Sequence, residues 1–200
     1  MDNLEEFKKM VTEGKIKDKW YFYKRTETQK QMQAEEMPKL VNYFKQNFNI
    51  SLYPMYGTLL GIIRDKDFIL YDNDIDFGYL SLQTDKKLVF KEFEQICKVL
   101  KKDNLLTKIC SRGQLHCFGE SKIFKYDIWT SWINEQNKFF IVPLGIGIDK
   151  SIILPFKKYN FRNINLLIPN NPEELLNLIY NEWKKPMSDN WRKQKCIRIL

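Results

Sequence analysis

Apolar residues recur at helical spacing in four stretches of the chain and alternate with polar ones, or run continuously, in the stretches between. Leu4, Phe7, Met10 and Val11 predict a first helix within residues 1–24, with Trp20-Tyr21-Phe22-Tyr23 as the apolar cluster that anchors it. Met32, Met37, Leu40, Val41 and Phe44 predict a helical region from Thr26 to Phe48, interrupted or bent near Pro38. From Lys86 to Leu100, residues Phe90, Phe93, Ile96, Cys97 and Leu100 fall on one side and lysines on the other. The fourth helix starts at Asn170-Asn171-Pro172-Glu173-Glu174, where a capping asparagine, an initial proline and first-turn acids coincide. It carries Leu175, Leu176, Leu178, Ile179 and Trp183 and stops at Pro186.

Strands are predicted at Asn49–Tyr56, Asp74–Phe77, Leu105–Cys110, Gln114–Phe118, Lys125–Trp129, Phe139–Pro143 and Ile152–Phe156. Arg112-Gly113 supplies a hairpin turn, Phe161–Ile168 reads as a short hairpin, and Gly78–Thr84 reads as a loop. Helices mixed with antiparallel hairpins make an α+β chain. Its division is a helical extension over residues 1–48, packed on one compact unit over residues 49–200.

With 44% hydrophobic and 14% aromatic residues, this chain of 200 residues is rich enough in apolar side chains to build a core, which excludes a disordered chain. A net charge of +8 favours polyanionic or phosphorylated partners such as nucleotides, nucleic acid or an anionic membrane surface, but the basic residues are scattered rather than blocked, so charge says little about the partner, and nucleic acid is not expected. No apolar run reaches the roughly eighteen residues of a membrane span. The N-terminus lacks the basic and apolar regions of a signal peptide, so a cytoplasmic location is expected, with peripheral membrane contact left open. Cys97, Cys110, Cys117 and Cys196 show no C-x-x-C spacing and are expected to be reduced. Cys110, His116 and Cys117 lack a fourth ligand for zinc.

The chemistry concentrates between Tyr56 and Tyr79. Gly57-Thr58 stands where extended chain gives way to a helix over roughly Leu59–Arg64. Its backbone amides and the Thr58 hydroxyl are of the type that holds a phosphate. In Asp74-Ile75-Asp76-Phe77, side chains two apart share a face, so Asp74 and Asp76 project together while Ile75 and Phe77 turn to the core. Two carboxylates held side by side repel unless a cation joins them, and hard oxygen ligands suit Mg²⁺ or Mn²⁺. A phosphate cradle followed by a metal site is the expectation.

These residues, G-T-L-L-G-x-x-R followed by F-I-x-x-D-x-D-I-D, resemble the signature of the LicD/fukutin group of the nucleotidyltransferase-like superfamily. A second similarity lies in Phe161-Arg162-Asn163-Ile164, Ile168-Pro169, Pro172 to Leu176 and Tyr180-Asn181-Glu182-Trp183 with Pro186. The resemblance covers residues from about Tyr53 to Met187 and departs from the family pattern at Tyr71, Asn73 and Asn181, which leaves the donor open. It implies a nucleotidyltransferase-like fold, a mixed, largely antiparallel sheet flanked by helices. It also implies transfer of a phospho-alcohol, such as phosphocholine or a polyol phosphate, from a CDP-activated donor to a glycan or glycolipid hydroxyl. A third carboxylate on a later strand is implied as well, and Asp127 in Lys125-Tyr126-Asp127-Ile128-Trp129 takes that place.

On this reading Asp74, Asp76 and Asp127 hold the metal, and Gly57, Thr58, Arg64, Lys66, Lys122 and Lys125 contact the donor phosphates. Asp72 or a metal-site carboxylate takes the acceptor's proton. His116 is a polar strand residue or a donor near the substrate. Two alternatives stay open: a true nucleotidyltransferase adding NMP from an NTP to a sugar phosphate, protein or RNA, and a non-enzymatic glycan-binding domain. The aromatic clusters Trp20–Tyr23 and Trp129–Trp132 line an acceptor groove or fill a core, and Trp183 is core or stacks on a donor base.

Overall fold

The computed structural model describes residues 26–69, 72, 74–180 and 182–185. The expected first helix, the Trp20–Tyr23 cluster, Cys196, Pro186 and the departures at Tyr71, Asn73 and Asn181 lie outside them.

Helix α1 (Glu27–Phe48) runs as one element with Pro38 inside it, where an interruption or bend was expected. Its start is fixed by a capping box: the Thr26 hydroxyl accepts from the Gln29 amide and the Gln29 side chain accepts from the Thr26 amide. The chain then forms β1 (Leu52–Pro54), a short helix α2 (Tyr56–Leu60), a π turn (Gly61–Asp65) and β2 (Ile75–Leu80). The helix begins three residues earlier than expected, so Gly57 sits in its first turn. Strand β2 continues through Gly78-Tyr79-Leu80, where the sequence predicts a loop; Tyr79 is fully buried and receives the Thr130 hydroxyl, so packing extends the strand.

Helix α3 (Lys86–Lys102) is capped by Asp85, whose carboxylate accepts from the amides of Lys87 and Leu88. It leads to the hairpin β3 (Leu106–Ser111) and β4 (Gln114–Phe118), then β5 (Lys125–Ile133), β6 (Lys138–Ile141) and β7 (Ile148–Asp149). The run Ile152–Phe156, expected as a strand, instead continues a 3₁₀ turn (Lys150–Ile152) capped by Asp149. Ile152 and Ile153 are anchored in the core there. A separate hairpin follows, β8 (Lys157–Phe161) and β9 (Ile164–Ile168), turned by Arg162 and Asn163, both in the left-handed region. Helix α4 (Pro172–Ile179) has Pro172 at its start, as the sequence predicts, though the Asn171 side chain makes no capping bond.

The main sheet runs β1-β2-β5-β4-β3, with β6 on β5 and β7 on β6. Among the described strands only β2 and β5 pair in parallel, and every other pairing is antiparallel. The architecture is α+β with a mixed, largely antiparallel sheet flanked by helices. One apolar cluster packs Met37 and Phe44 of α1 and Phe93 and Leu100 of α3 against Ile75, Phe77, Tyr126 and Ile128. The other joins Leu59, Leu60 and the α4 residues Leu175, Leu176 and Ile179 to Tyr53, Phe139 and Ile141. Because neighbours along a strand face opposite ways, burial of Ile75, Phe77, Tyr126 and Ile128 toward α1 and α3 turns Asp76 and Asp127 to the other face.

Candidate active site

The parallel pairing of β2 with β5 places Asp76 directly opposite Asp127. Neither position is available for a bland surface carboxylate. Ile75 and Phe77 on either side of Asp76 are fully buried, as are Tyr126 and Ile128 beside Asp127.

Asp76 is held from three directions. Its amide donates to the Thr58 hydroxyl at 2.8 Å, its Oδ1 accepts from Trp129 Nε1 at 2.9 Å, and its carboxylate also accepts the Gly57 amide. Burial pushes the Asp76 carboxyl well above the ordinary carboxylate range, and the charges of Asp74 and Asp127 push the same way. The bonds from Trp129 and Gly57 oppose them. Asp127 is raised too, first by burial and then by Asp74, while His116 and Gln114 pull it down.

Asp72 comes from the segment ahead of β2 and is buried against Gly57. A Cβ built on that glycine would lie 2.7 Å from Asp72 Oδ2 and 3.5 Å from Asp76 Oδ2. A side chain at position 57 would have to displace the Asp72 carboxylate, so close approach rather than φ favours glycine here. The preceding Tyr56 carries the strain instead, at φ 43°. Its hydroxyl donates to the Val142 carbonyl at 2.9 Å and its ring packs edge-on against Trp129.

The fold thus brings Asp72 and Asp76 to the Gly57-Thr58 turn, sets Asp127 opposite Asp76 on the adjacent strand and leaves Asp74 near enough to act electrostatically on both. The other anticipated residues are placed differently. Arg64 pairs with its neighbour Asp65, with Nε–Oδ1 at 2.6 Å and Nη2–Oδ2 at 2.7 Å. Lys66 Nζ donates to the Ile63 carbonyl of the π turn. Lys122 lies in the left-handed turn before β5. Lys125 opens β5 on the same face as Asp127, with its ammonium 5.9 Å from the centre of the Phe118 ring. The Thr58 hydroxyl and the Gly57 amide, anticipated as phosphate ligands, are engaged with Asp76.

Two further residues join the site: His116, which the sequence offers as a polar strand residue or a donor near the substrate, and Trp129, which it offers as groove lining or core. His116 stands opposite Asp127 across the β4–β5 register, with Nε2 3.1 Å from Asp127 Oδ1. Nothing in the sequence announces that pairing, since it depends on strand register. Trp129 was legible: it sits two residues beyond Asp127 and therefore on the same face. Trp132, by the same alternation, faces the other way, stacks on Phe140 and lines a cavity of about 350 Å³ with Thr84 and Asn134, away from the carboxylates. Trp183 is buried in the core near α4, its Nε1 bonded to Asn177.

Among the described residues, no three His, Cys, Asp or Glu side chains converge as a ready-made metal cluster; Asp76 Oδ1 accepts from Trp129 and Asp127 Oδ1 pairs with His116. The donor set still suits a hard divalent cation. Burial first, and the charges of neighbouring carboxylates next, raise the Asp76 and Asp127 carboxyls, and a bound cation would offset both effects.

Residues 49–171 match the family model described as LicD/FKTN/FKRP, nucleotidyltransferase domain. An uncharacterized protein of Rickettsia prowazekii (strain Madrid E) is 30% identical over 138 residues, covering 68% of this chain and 50% of the relative. One from Rickettsia typhi (strain ATCC VR-144 / Wilmington) is 29% identical over 138 residues, covering 68% of this chain and 42% of that protein. The chain thus spans half or less of the length of these relatives. Among solved structures, the lincomycin-bound lincosamide antibiotic adenylyltransferase LnuA is similar in fold, with a TM-score of 0.52 at 10% identity over 84% of this chain and 93% of that one.

Proposed function

From the premise that the chain belongs to the LicD/FKTN/FKRP nucleotidyltransferase family, we propose that it is a metal-dependent transferase moving a phospho-alcohol from a CDP-activated donor to a glycan or glycolipid hydroxyl. The observation that carries this reading is the pairing of Asp76 with Asp127 on adjacent parallel strands, with Asp74 close enough to raise the pKa of both.

Asp74, Asp76 and Asp127 would hold Mg²⁺ or Mn²⁺, which when bound supplies neutralisation of the charge gathering on the donor pyrophosphate. The chain's own residues set up that site. Thr58 and Gly57 fix the backbone and the carboxylate of Asp76, Trp129 orients its Oδ1, and His116 with Gln114 orients Asp127. Buried Asp72, against Gly57, is the candidate to accept the acceptor hydroxyl's proton as that oxygen attacks in line. Lys125, on the Asp127 face, is the nearest strand-borne cation in sequence for a donor phosphate. Arg64 and Lys66 must leave Asp65 and the Ile63 carbonyl to serve there, and Lys122 must reach in from its turn.

The test is incubation with Mg²⁺ and a panel of CDP-alcohols or NTPs in the presence of glycan acceptors. Release of CMP with labelled acceptor supports the proposal. Pyrophosphate release identifies NMP transfer instead, and turnover of neither donor leaves a binding domain.

A further inference from the structure

The sheet face opposite the carboxylates is covered by α3, and the outer side of that helix is built for something anionic. Lys87, Lys91, Lys98 and Lys102 follow one another at helical spacing on its solvent side, flanked by Lys86 and Lys101, and all are exposed. Among the described residues none of these six clustered lysines has a carboxylate within ion-pair distance. The helix's own acids are directed elsewhere. Glu92 is turned inward toward Ser81 and the Leu82 amide, and Glu94 faces Arg112 at 3.9 Å.

A second observation separates this face from an ordinary solvated one. Of the three large apolar side chains exposed among the described residues, Leu82 at 60% and Leu88 at 47% flank the start of α3 beside Lys86 and Lys87. Protruding leucines next to unpaired lysines match a bilayer interface, where ammonium groups meet lipid phosphates and aliphatic side chains enter the acyl boundary. A nucleic-acid phosphate backbone would use the lysines but not the leucines.

We propose that α3 and the loop ahead of it dock the protein on an anionic lipid bilayer, through Lys87, Lys91 and Lys98 with Leu82 and Leu88 inserted. This inference is independent of the transfer reaction. Docking through α3 leaves the carboxylate face, on the other side of the sheet, open to a soluble donor.

The experiment is co-sedimentation of the full chain with phosphatidylcholine vesicles, with and without phosphatidylglycerol. Binding is expected only to the anionic vesicles, and it should weaken at high salt. The double variant Lys91→Gln/Lys98→Gln should lower partitioning roughly 25-fold, about fivefold for each lysine near the surface. Leu82→Ser/Leu88→Ser should lower it about tenfold. The control Lys157→Gln/Lys158→Gln removes the same charge from exposed positions on β8 and should leave binding nearly unchanged. Equal losses in the two lysine pairs would overturn the proposal in favour of net charge alone. An unaffected leucine variant would overturn it as well, and so would a single-stranded RNA that displaces the vesicles and binds the leucine variant as well as the parent. Because no turnover is measured, failure here leaves the transferase reading standing, and the reverse holds too.

Discussion

Gly57 and Asp72 are packed so closely that the smallest side chain at position 57 would strike Asp72 Oδ2 at 2.7 Å. The glycine therefore acts as a spacer for an acidic side chain, and in the same turn its amide holds the carboxylate of Asp76. Gly57→Ala should displace Asp72, and a shift of about 1 Å near reacting atoms is worth about a hundredfold in rate. The expected outcome is CMP release down by about that factor, with a circular-dichroism spectrum like the parent's. Full activity in Gly57→Ala would remove Asp72 from the chemistry.

The carboxylates repel one another in the absence of a cation, so metal and stability should be linked. Thermal unfolding is expected to shift upward with Mg²⁺, by about 2.7 kcal/mol at a hundred times the dissociation constant. In Asp76→Asn the shift should shrink or vanish while the metal-free protein stays at least as stable as the parent, since a desolvated charge beside Asp74 and Asp127 has been removed. Transfer should be abolished. An unchanged Mg²⁺ shift in a folded Asp76→Asn protein would exclude this residue as a ligand.

Trp129 Nε1 is one of the few groups that lower the Asp76 pKa. Trp129→Phe keeps a ring against Tyr56 but loses that donor, and hydrogen bonds to charged groups are worth about 1.5–3 kcal/mol. Urea titration should show a loss of this order with an unchanged m-value. The apparent Mg²⁺ affinity should change as well, and a stability equal to the parent's would show that the bond contributes nothing.

Away from the site, Asp67 is clamped by Lys30 of α1 and by Arg162 of the β8–β9 turn, and both cations also reach Glu27. Bonds from Lys30 and then Arg162 lower the Glu27 carboxyl from 4.5 to about 2. A carboxylate depressed in the folded state adds stability that is present above pH 4.5 and is lost as pH falls toward 2. Glu27→Gln should therefore flatten the stability profile in that window and leave the difference from the parent constant above it. Glu27 is exposed, so the effect should be modest and should fade with salt. A profile parallel to the parent's from pH 5 to 2 would show that the clamp carries no charge-dependent stability.

The sequence by itself determined the elements whose residues answer to a local rule. The amphipathic period of α3, the Arg112-Gly113 turn, the proline start of α4 and the alternation that buries Ile75 and Phe77 were all legible, because each depends on neighbours within a few positions. The family signature likewise lay along one continuous stretch. Tertiary structure alone decided the extension of β2 through Tyr79 and the 3₁₀ turn where Ile152–Phe156 promised a strand. A short apolar run does not say which core it will enter. It alone decided the site's partners too. His116 meets Asp127 through strand register, and Trp129 reaches Asp76 across a parallel pair. Those contacts bridge up to 53 residues of chain, and a distance in space between distant positions is set by how the sheet is assembled, which no local pattern encodes.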